Sequence, residues 1–410
     1  MDSNQFYEQL LNLDSNWDIS DVKIDMEQLL VEVHLCYNSK EGLCPFEGIL
    51  SPIYDYAPVR RWRHLDTMEY QTYLVCRIPR VINSEGKVST ISVPWSDFSD
   101  RYTYRFASAV IELLQYTKNQ TKTAFFFKTS FDVVNQIMNK AVNRGLRYRL
   151  EHESDKKIDS IGIDEKSYQK GHQYCTILTD ATNKRILEVV ADRTKEASKK
   201  VLDSGLSETQ KSAIKVVTGD MWEAYQNTVK EQLPKATYVL DRFHLVKYLN
   251  EAIDKTRRAE VKEHPILKNS RFVLLKNPEN LLQKQAALFN IISKGNYMVS
   301  QAYKIKEDFR ALFGQIDSTH AMVILENWFF STKGYAIEPI IKVVEMFKRH
   351  KHAIANSLSH PDSNAYAERM NGSIQELKVV ARGFRNIQNF RIAILFHHGK
   401  LNLYPTLNFL

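Results

Sequence analysis

The sequence predicts a multidomain α/β protein: a mixed sheet with packed helices, interrupted by a large all-helical insertion and preceded by a small β-rich domain and a helical one. Three observations predict it. Apolar segments at 161–163, 174–178 and 186–190 are separated by turn residues at 170–171 and 180–183, the pattern of an antiparallel meander. Strand and helix then alternate, with 216–218 and 238–240 as strands and 194–202 and 222–231 as helices. From Phe243 to about His360 strand signals vanish, and a stretch of that length is a helical insertion rather than a connection.

Taken in order, the first forty residues open with an amphipathic helix at 6–13 and a second apolar stretch at 26–35, giving an N-terminal helical segment at 1–40. Residues 41–95 change to short segments broken by Pro, Gly and Asp, at 49–56, 72–78 and 88–93, which read as strands and turns. Between 96 and 155 the period lengthens again. Helices at 104–115 and 130–144 flank a break at 118–123, a layout suited to a helix-turn-helix in which 130–143 reads a DNA groove and Lys128, Lys140 and Arg144 touch phosphates. An ordinary helical linker with a solvated basic face accounts for the same residues. The sheet and its helices fill 156–242, the insertion fills 243–360 with helices at 245–258, 282–292, 298–312, 321–330 and 337–357, and 361–410 returns to the sheet as helices and a packed tail.

Composition bounds the function classes. The chain has 410 residues, 43% of them hydrophobic, enough for two or three packed units. Residues 1–50 carry ten acidic side chains against Lys23 and Lys40, so the net charge of +8 is concentrated in the remainder, where it favours phosphate backbones. Four cysteines and no apolar leader point to a reducing cytoplasmic setting, and no apolar run is long enough to cross a bilayer.

The candidate chemistry lies in carboxylates. Asp164 follows the apolar residues 161–163, and Asp220 holds the analogous place after 216–219. Two carboxylates converging at strand ends repel unless a cation sits between them, and hard oxygen ligands favour magnesium, with manganese as a substitute. Glu368 is the candidate third ligand, on a helix where Ala367, Met370, Ile374 and Leu377 form one stripe and Glu368, Asn371, Gly372 and Gln375 the next, with Gly372 permitting close approach and Asn364 as cap. Asp241, Arg242, Phe243 and His244 form a second constellation after the last strand, in which Asp241 and His244, three apart, can hydrogen-bond and either steady the site or touch a flipped base or scissile phosphate, while a strand-to-helix cap accounts for the same residues; Asp241 is also the rival to Asp220 as second ligand. Downstream, Lys378, Arg382, Arg385, Asn386 and Arg391 surround a compact GFRN sequence suited to DNA.

The meander followed by alternating strands matches the ribonuclease H-like order. Three segments are specific enough to name a family: IGIDEKSYQKGHQYCTILTD, GDMWEAYQNTVKEQLPKATYVLDRFHLVKYLNEAIDKTRR and SNAYAERMNGSIQELKVVARGFRNIQNFR together resemble the ISL3 family of bacterial insertion-sequence transposases. The resemblance implies that Asp164, Asp220 and Glu368 are a DDE triad holding two magnesium ions. It also implies that the partners are double-stranded DNA with terminal inverted repeats and target DNA, that the chain works as a homodimer or larger assembly, and that it is associated with the nucleoid. Members commonly carry a zinc ribbon with paired Cys-x-x-Cys knuckles, whereas here each knuckle keeps one cysteine, Cys44 before Glu47 and Cys76 before Pro79. His34, Cys36 and His64 have no diagnostic spacing. The expectation is a ribbon without structural zinc, its core filled by Tyr54, Tyr56, Trp62 and Tyr73. Two alternatives stay open: a catalytically inactive, transposase-derived DNA-binding protein, and a ribonuclease or resolvase on the same fold.

Overall fold

The computed structural model describes residues 2–169, 173–313, 317–360 and 365–405, with the side chains at 318 and 365–369 outside that description. Contacts divide the chain into two compact units, Met1–Arg149 with Leu401–Leu410, and Leu150–Lys400.

In the first unit the expected helical segment 1–40 holds a single helix, Ser3–Leu11, closed by a capping box between Asp2 and Gln5. Residues beyond it form an antiparallel pair, Trp17–Asp25 and Leu30–Tyr37. Val31, Val33 and Leu35 are buried and alternate with Glu32, His34 and Cys36, which is the period of a strand and not of a helix. This pair continues through Gln71–Cys76 to Arg60–Arg63 in one four-stranded sheet, so no structural break falls at residue 40. A second sheet joins Glu41–Leu43, Leu50–Tyr56, Pro79–Ile82 and Val88–Thr90. The aromatic core is Trp17, Trp62 and Trp95, meeting edge to face at 4.8 and 5.5 Å. Of the expected core tyrosines, Tyr54 and Tyr56 are exposed, because they occupy the outward positions of their strand, and Tyr73 is half-buried under the Arg61 guanidinium.

Three helices follow, Tyr104–Thr117, Gln120–Phe126 and Phe131–Glu153, the first two capped by Thr103 and Asn119. The third runs past the expected end at 144, and Gly145 within it packs closely: a Cβ there would lie 2.6 Å from the Leu401 side chain. Residues 401–405 accordingly group with this unit.

The second unit is a mixed α/β structure. Its five-stranded sheet has the order Arg185–Ala191, Gln173–Asp180, Ser160–Gln169, Val216–Gly219, Thr237–Leu240. The first three are antiparallel, and the last two run parallel to Ser160–Gln169. Helices Lys195–Gly205 and Glu223–Gln232 press Val201, Leu202, Tyr225 and Val229 against Ile161, Ile163 and Val217. A short helix absent from the sequence reading, Glu208–Ala213, is held by a Ser207–Gln210 capping box. Pleat alternation turns Glu188 away from neighbouring Leu187, and there it takes both Arg391 nitrogens from helix Ile387–His398 at 2.6 Å.

The helical insertion begins with Arg242–Glu260 and includes Gln283–Lys294, Met298–Ala311, Ser318–Ser331, Glu338–Arg349 and Lys351–Ser359 around Leu249, Ile253, Phe309, Trp328 and Phe347. The single helix expected over 337–357 is two, parted at His350. Buried Glu260 accepts Met298 N and Val299 N at 2.8 and 2.7 Å, placing a carboxylate on the positive end of helix Met298–Ala311. The insertion returns to its starting strand: Ser357 Oγ accepts from Leu240 N at 2.7 Å, and Asn356 Nδ2 donates to Tyr238 O at 3.0 Å. Beyond it lie Ala365–Val380 and Ile387–His398, separated at Arg382 and Gly383, both at positive φ.

Candidate active site and its relatives

Asp164 lies within strand Ser160–Gln169, while Asp220 and Asp241 directly follow the two strands that run parallel to it, Val216–Gly219 and Thr237–Leu240. The register pairs Val217 with Ile161 and Thr218 with Gly162, where the pairing ends; a Cβ on Gly219 would lie 3.2 Å from Ile163 O, so the residues that follow, Asp220 and Asp164, continue from neighbouring backbone. On its other side Gly219 pairs with Leu240, which sets Asp220 opposite Asp241. Ile161 and Ile163 face the helices Lys195–Gly205 and Glu223–Gln232, so alternation turns Asp164 toward the other face. There Asn371, on helix Ala365–Val380, donates from Nδ2 to Asp164 Oδ2 at 2.5 Å, while Asp164 Oδ1 accepts Glu165 N at 2.8 Å. Lys166 and Lys378 tie the same helix to the same strand, donating to Asn371 O at 3.3 Å and Ser167 O at 2.5 Å. Burial pushes the Lys166 amine down, and the Asp164 carboxylate opposes that shift.

Asp220 is fixed through its backbone. Tyr238 donates its hydroxyl to Asp220 O at 2.8 Å, and the Asp220 carboxylate takes Met221 N at 2.6 Å. The Tyr238 ring crosses directly over Gly219, where a Cβ would press into its hydroxyl and lie 3.2 Å from Ile163 O. Burial, then the Asp220 charge, raise the Tyr238 phenol well above its ordinary value, so it remains a donor. His244 stands between two carboxylates, Nδ1 3.4 Å from Asp220 Oδ2 and Nε2 3.7 Å from Asp241 Oδ2. The second distance is beyond a hydrogen bond, so the Asp241–His244 pairing expected from their spacing is an electrostatic neighbourhood only. Asp241 is 5% exposed and spends an oxygen capping its helix through Phe243 N, whereas the Asp220 side chain is 19% exposed.

Glu368 belongs to helix Ala365–Val380, one turn before Asn371, but its side chain lies outside the described residues, as does the expected cap Asn364. Among the described residues no group of three or more His, Cys, Asp or Glu forms a metal cluster. In the first unit Cys44 is buried beside Ser89, Glu47 turns to Ser84, and His64 bonds Thr103 at 2.8 Å. Burial raises the Cys76 thiol to about 12, and burial with Arg105 and Arg63 lowers His64 to about 4.

The expected DNA-contacting residues separate into two groups. Arg382, Arg385 and Asn386 are exposed, and Lys128 occupies a left-handed turn. Four others are engaged inside the protein. Lys140 pairs with buried Asp100 at 2.5 Å, Arg144 donates to Leu403 O at 2.7 Å, Lys378 holds Ser167, and Arg391 holds Glu188. Sequence reasoning missed Tyr238 and the role of Asn371; Asn371 had a signal in its i+3 spacing from Glu368, while Tyr238 had none.

Residues 161–394, more than half of the chain, match the family model for ISL3-type DDE transposases, described as "Transposase". The chain is 27% identical to the transposase for insertion sequence element IS1001 of Bordetella parapertussis over 375 residues, covering 89% of this chain and 90% of that one. It is 26% identical to the transposase for insertion sequence element IS1557 of Mycobacterium tuberculosis (strain CDC 1551 / Oshkosh) over 366 residues, covering 81% of this chain and 80% of that one. With Asp164, Asp220, Asp241 and helix Ala365–Val380 inside the matched region, the chain belongs to the ISL3 family of transposases.

Proposed function

We propose that this protein is a DNA transposase that binds the inverted-repeat ends of its element, hydrolyses phosphodiester bonds there and transfers the freed strand to target DNA. The observation that supports the reading is the parallel register of Val216–Gly219 on Ser160–Gln169, the strands that carry the chain to Asp220 and that hold Asp164, with the helix of Glu368 tied to Asp164 through Asn371. A meander with two parallel strands added beside its first strand is the ribonuclease H-like order. The chemistry of the donors supports hard divalent ions: Asp164 and Asp220 offer carboxylate oxygens that are only partly buried, and the third ligand in this reading is Glu368. Asp164, Asp220 and Glu368 would hold two magnesium ions, which would stabilise charge at phosphorus and lower the pKa of a water so that it can attack as hydroxide. In this reading Asn371 and Tyr238 orient the carboxylates, and Asp241 with His244 steadies the flank of Asp220. Arg382, Arg385, Asn386 and Lys128 bind phosphates, while Lys140, Arg144, Lys378 and Arg391 maintain the fold. The chain works as a homodimer on two ends, in the cytoplasm at the nucleoid.

The test is magnesium-dependent cleavage of DNA carrying the element's own ends, comparing the intact protein with Asp220→Asn and Asp241→Asn where all three bind. Cleavage at the ends that disappears for Asp220→Asn and persists for Asp241→Asn supports the assignment. Binding without cleavage by the intact protein, in magnesium and in manganese, replaces it with a DNA-binding relic. The reverse mutant pattern keeps the enzyme and installs Asp241 in place of Asp220.

A further inference from the structure

Helix Arg242–Glu260 carries a groove along its solvent side whose first lining residue, Phe243, is the chain neighbour of His244. Phe243 forms its mouth, 56% exposed, with its ring edge-on to His244 at 5.8 Å between centroids. From there the groove is lined by Lys247, Asn250, Lys255 and Arg258 of the helix and Arg271 of the next one. Lys247 and Lys255 are exposed and make no ion pair among the described residues, and their separation of eight residues is about 12 Å along the helix. Asp254 on the same wall is buried and already balanced by Arg257, Arg258 and Arg271, leaving Glu251 as the groove's exposed acid. Unpaired cations in a row with an uncovered aromatic ring at one end suit a nucleic-acid strand. The ring decides which kind: bases of a duplex are stacked on one another, and only an unpaired base offers a free face.

We propose that this groove binds single-stranded DNA, the strand leading to or from the cleaved phosphodiester, with Lys247 and Lys255 on its phosphates and Phe243 stacked on an unpaired base. The inference rests on the transposase reading and names the form of DNA that its site takes. Backbone phosphates run along the helix away from Asp220, so bases beyond the first need no specific partner and the groove is tolerant of sequence.

The experiment uses the full chain and a fluorescein-labelled oligothymidylate of about twenty nucleotides, with a duplex of equal length alongside, titrated across about 50 to 200 mM salt. Lys247→Gln/Lys255→Gln is expected to flatten the slope of log affinity against log salt for the single strand by about 1.4, at about 0.7 per phosphate lost. Phe243→Ala is expected to weaken the single-strand complex by at least about 5-fold and to abolish quenching of a 2-aminopurine base in it. Thermal unfolding equal to wild type establishes that these exposed substitutions leave the fold intact. An unchanged salt slope and unchanged quenching in the variants overturn the groove while leaving the transposase reading in place. Tighter binding of duplex, with the same lysine dependence, overturns the single-strand assignment. Failure of the intact chain to bind either DNA defeats the function and the groove together.

Discussion

Replacing Arg391 with leucine separates a structural role from a DNA-binding one. Its guanidinium meets both oxygens of Glu188 at 2.6 Å, with the arginine side chain 19% exposed and the glutamate 6%. Removing one partner of a buried pair leaves an uncompensated charge, at a cost of about 3–5 kcal/mol. The lower end, about 3 kcal/mol, applies here, because part of Arg391 reaches solvent and Glu188 keeps one donor, Val189 N at 2.7 Å. For a unit the size of Leu150–Lys400 that corresponds to a fall in Tm of about 6–12 °C. Glu188→Leu/Arg391→Leu should recover most of it, since an apolar pair of similar volume replaces a buried ion pair at little cost. Differential scanning calorimetry measures the unfolding, and fluorescence anisotropy on end DNA below the transition measures binding. An Arg391→Leu protein that melts within about 1 °C of wild type yet loses DNA affinity would falsify the assignment and return Arg391 to the DNA surface.

Gly219→Ala should suppress end cleavage, because its Cβ meets the Tyr238 hydroxyl and the strand end carrying Asp220 must shift; Tyr238→Phe in the same chain should restore part of the activity, measured in the same cleavage assay. Asn371→Ala should reduce cleavage by about 10- to 100-fold with DNA affinity retained, and calorimetric titration with manganese should show a matching loss of ion affinity; unchanged ion binding removes Asn371 from the orienting role. His64, held near 4 in the folded state against an ordinary 6.5, binds its proton in the unfolded chain first, so the stability it contributes is present above pH 6.5 and is lost as pH falls toward 4. That window is worth up to about 3 kcal/mol, and His64→Gln should flatten the acid side of a denaturation-against-pH curve for the first unit.

The sheet of the second unit was legible because each strand is a short buried apolar run between turn residues, and Asp164 and Asp220 were legible because they end two such runs. The first unit was less so. Val31 to Leu35 alternates with period two, yet the stretch from Met26 blurred it into a helix-like apolar run, and its parallel neighbour Gln71–Cys76 lies about forty residues away in sequence. Basic residues were the hardest to assign. A lysine or arginine carries the same charge whether it meets phosphate or carboxylate, and the partners of Arg391 and Lys140 are residues 203 and 40 positions distant. Local pattern holds no record of contacts at such separations. Lys247 and Lys255 went unremarked for the converse reason, since isolated lysines on a helix acquire meaning only when the groove beside them is seen.

Ser357 and Asn356 reach back to strand Thr237–Leu240, and their hydrogen bonds bear on how such a protein can be built at all. That strand is the last of its sheet, and its outer backbone groups would otherwise stand open as a template for any passing chain. The helical insertion leaves from one end of the strand and comes back to cover its side, so the elaboration also shields the sheet it interrupts. A chain shortened to the sheet alone would therefore lose solubility before it lost its strands, and a rebuilt version would need a charged or proline-bearing edge where Ser357 now sits.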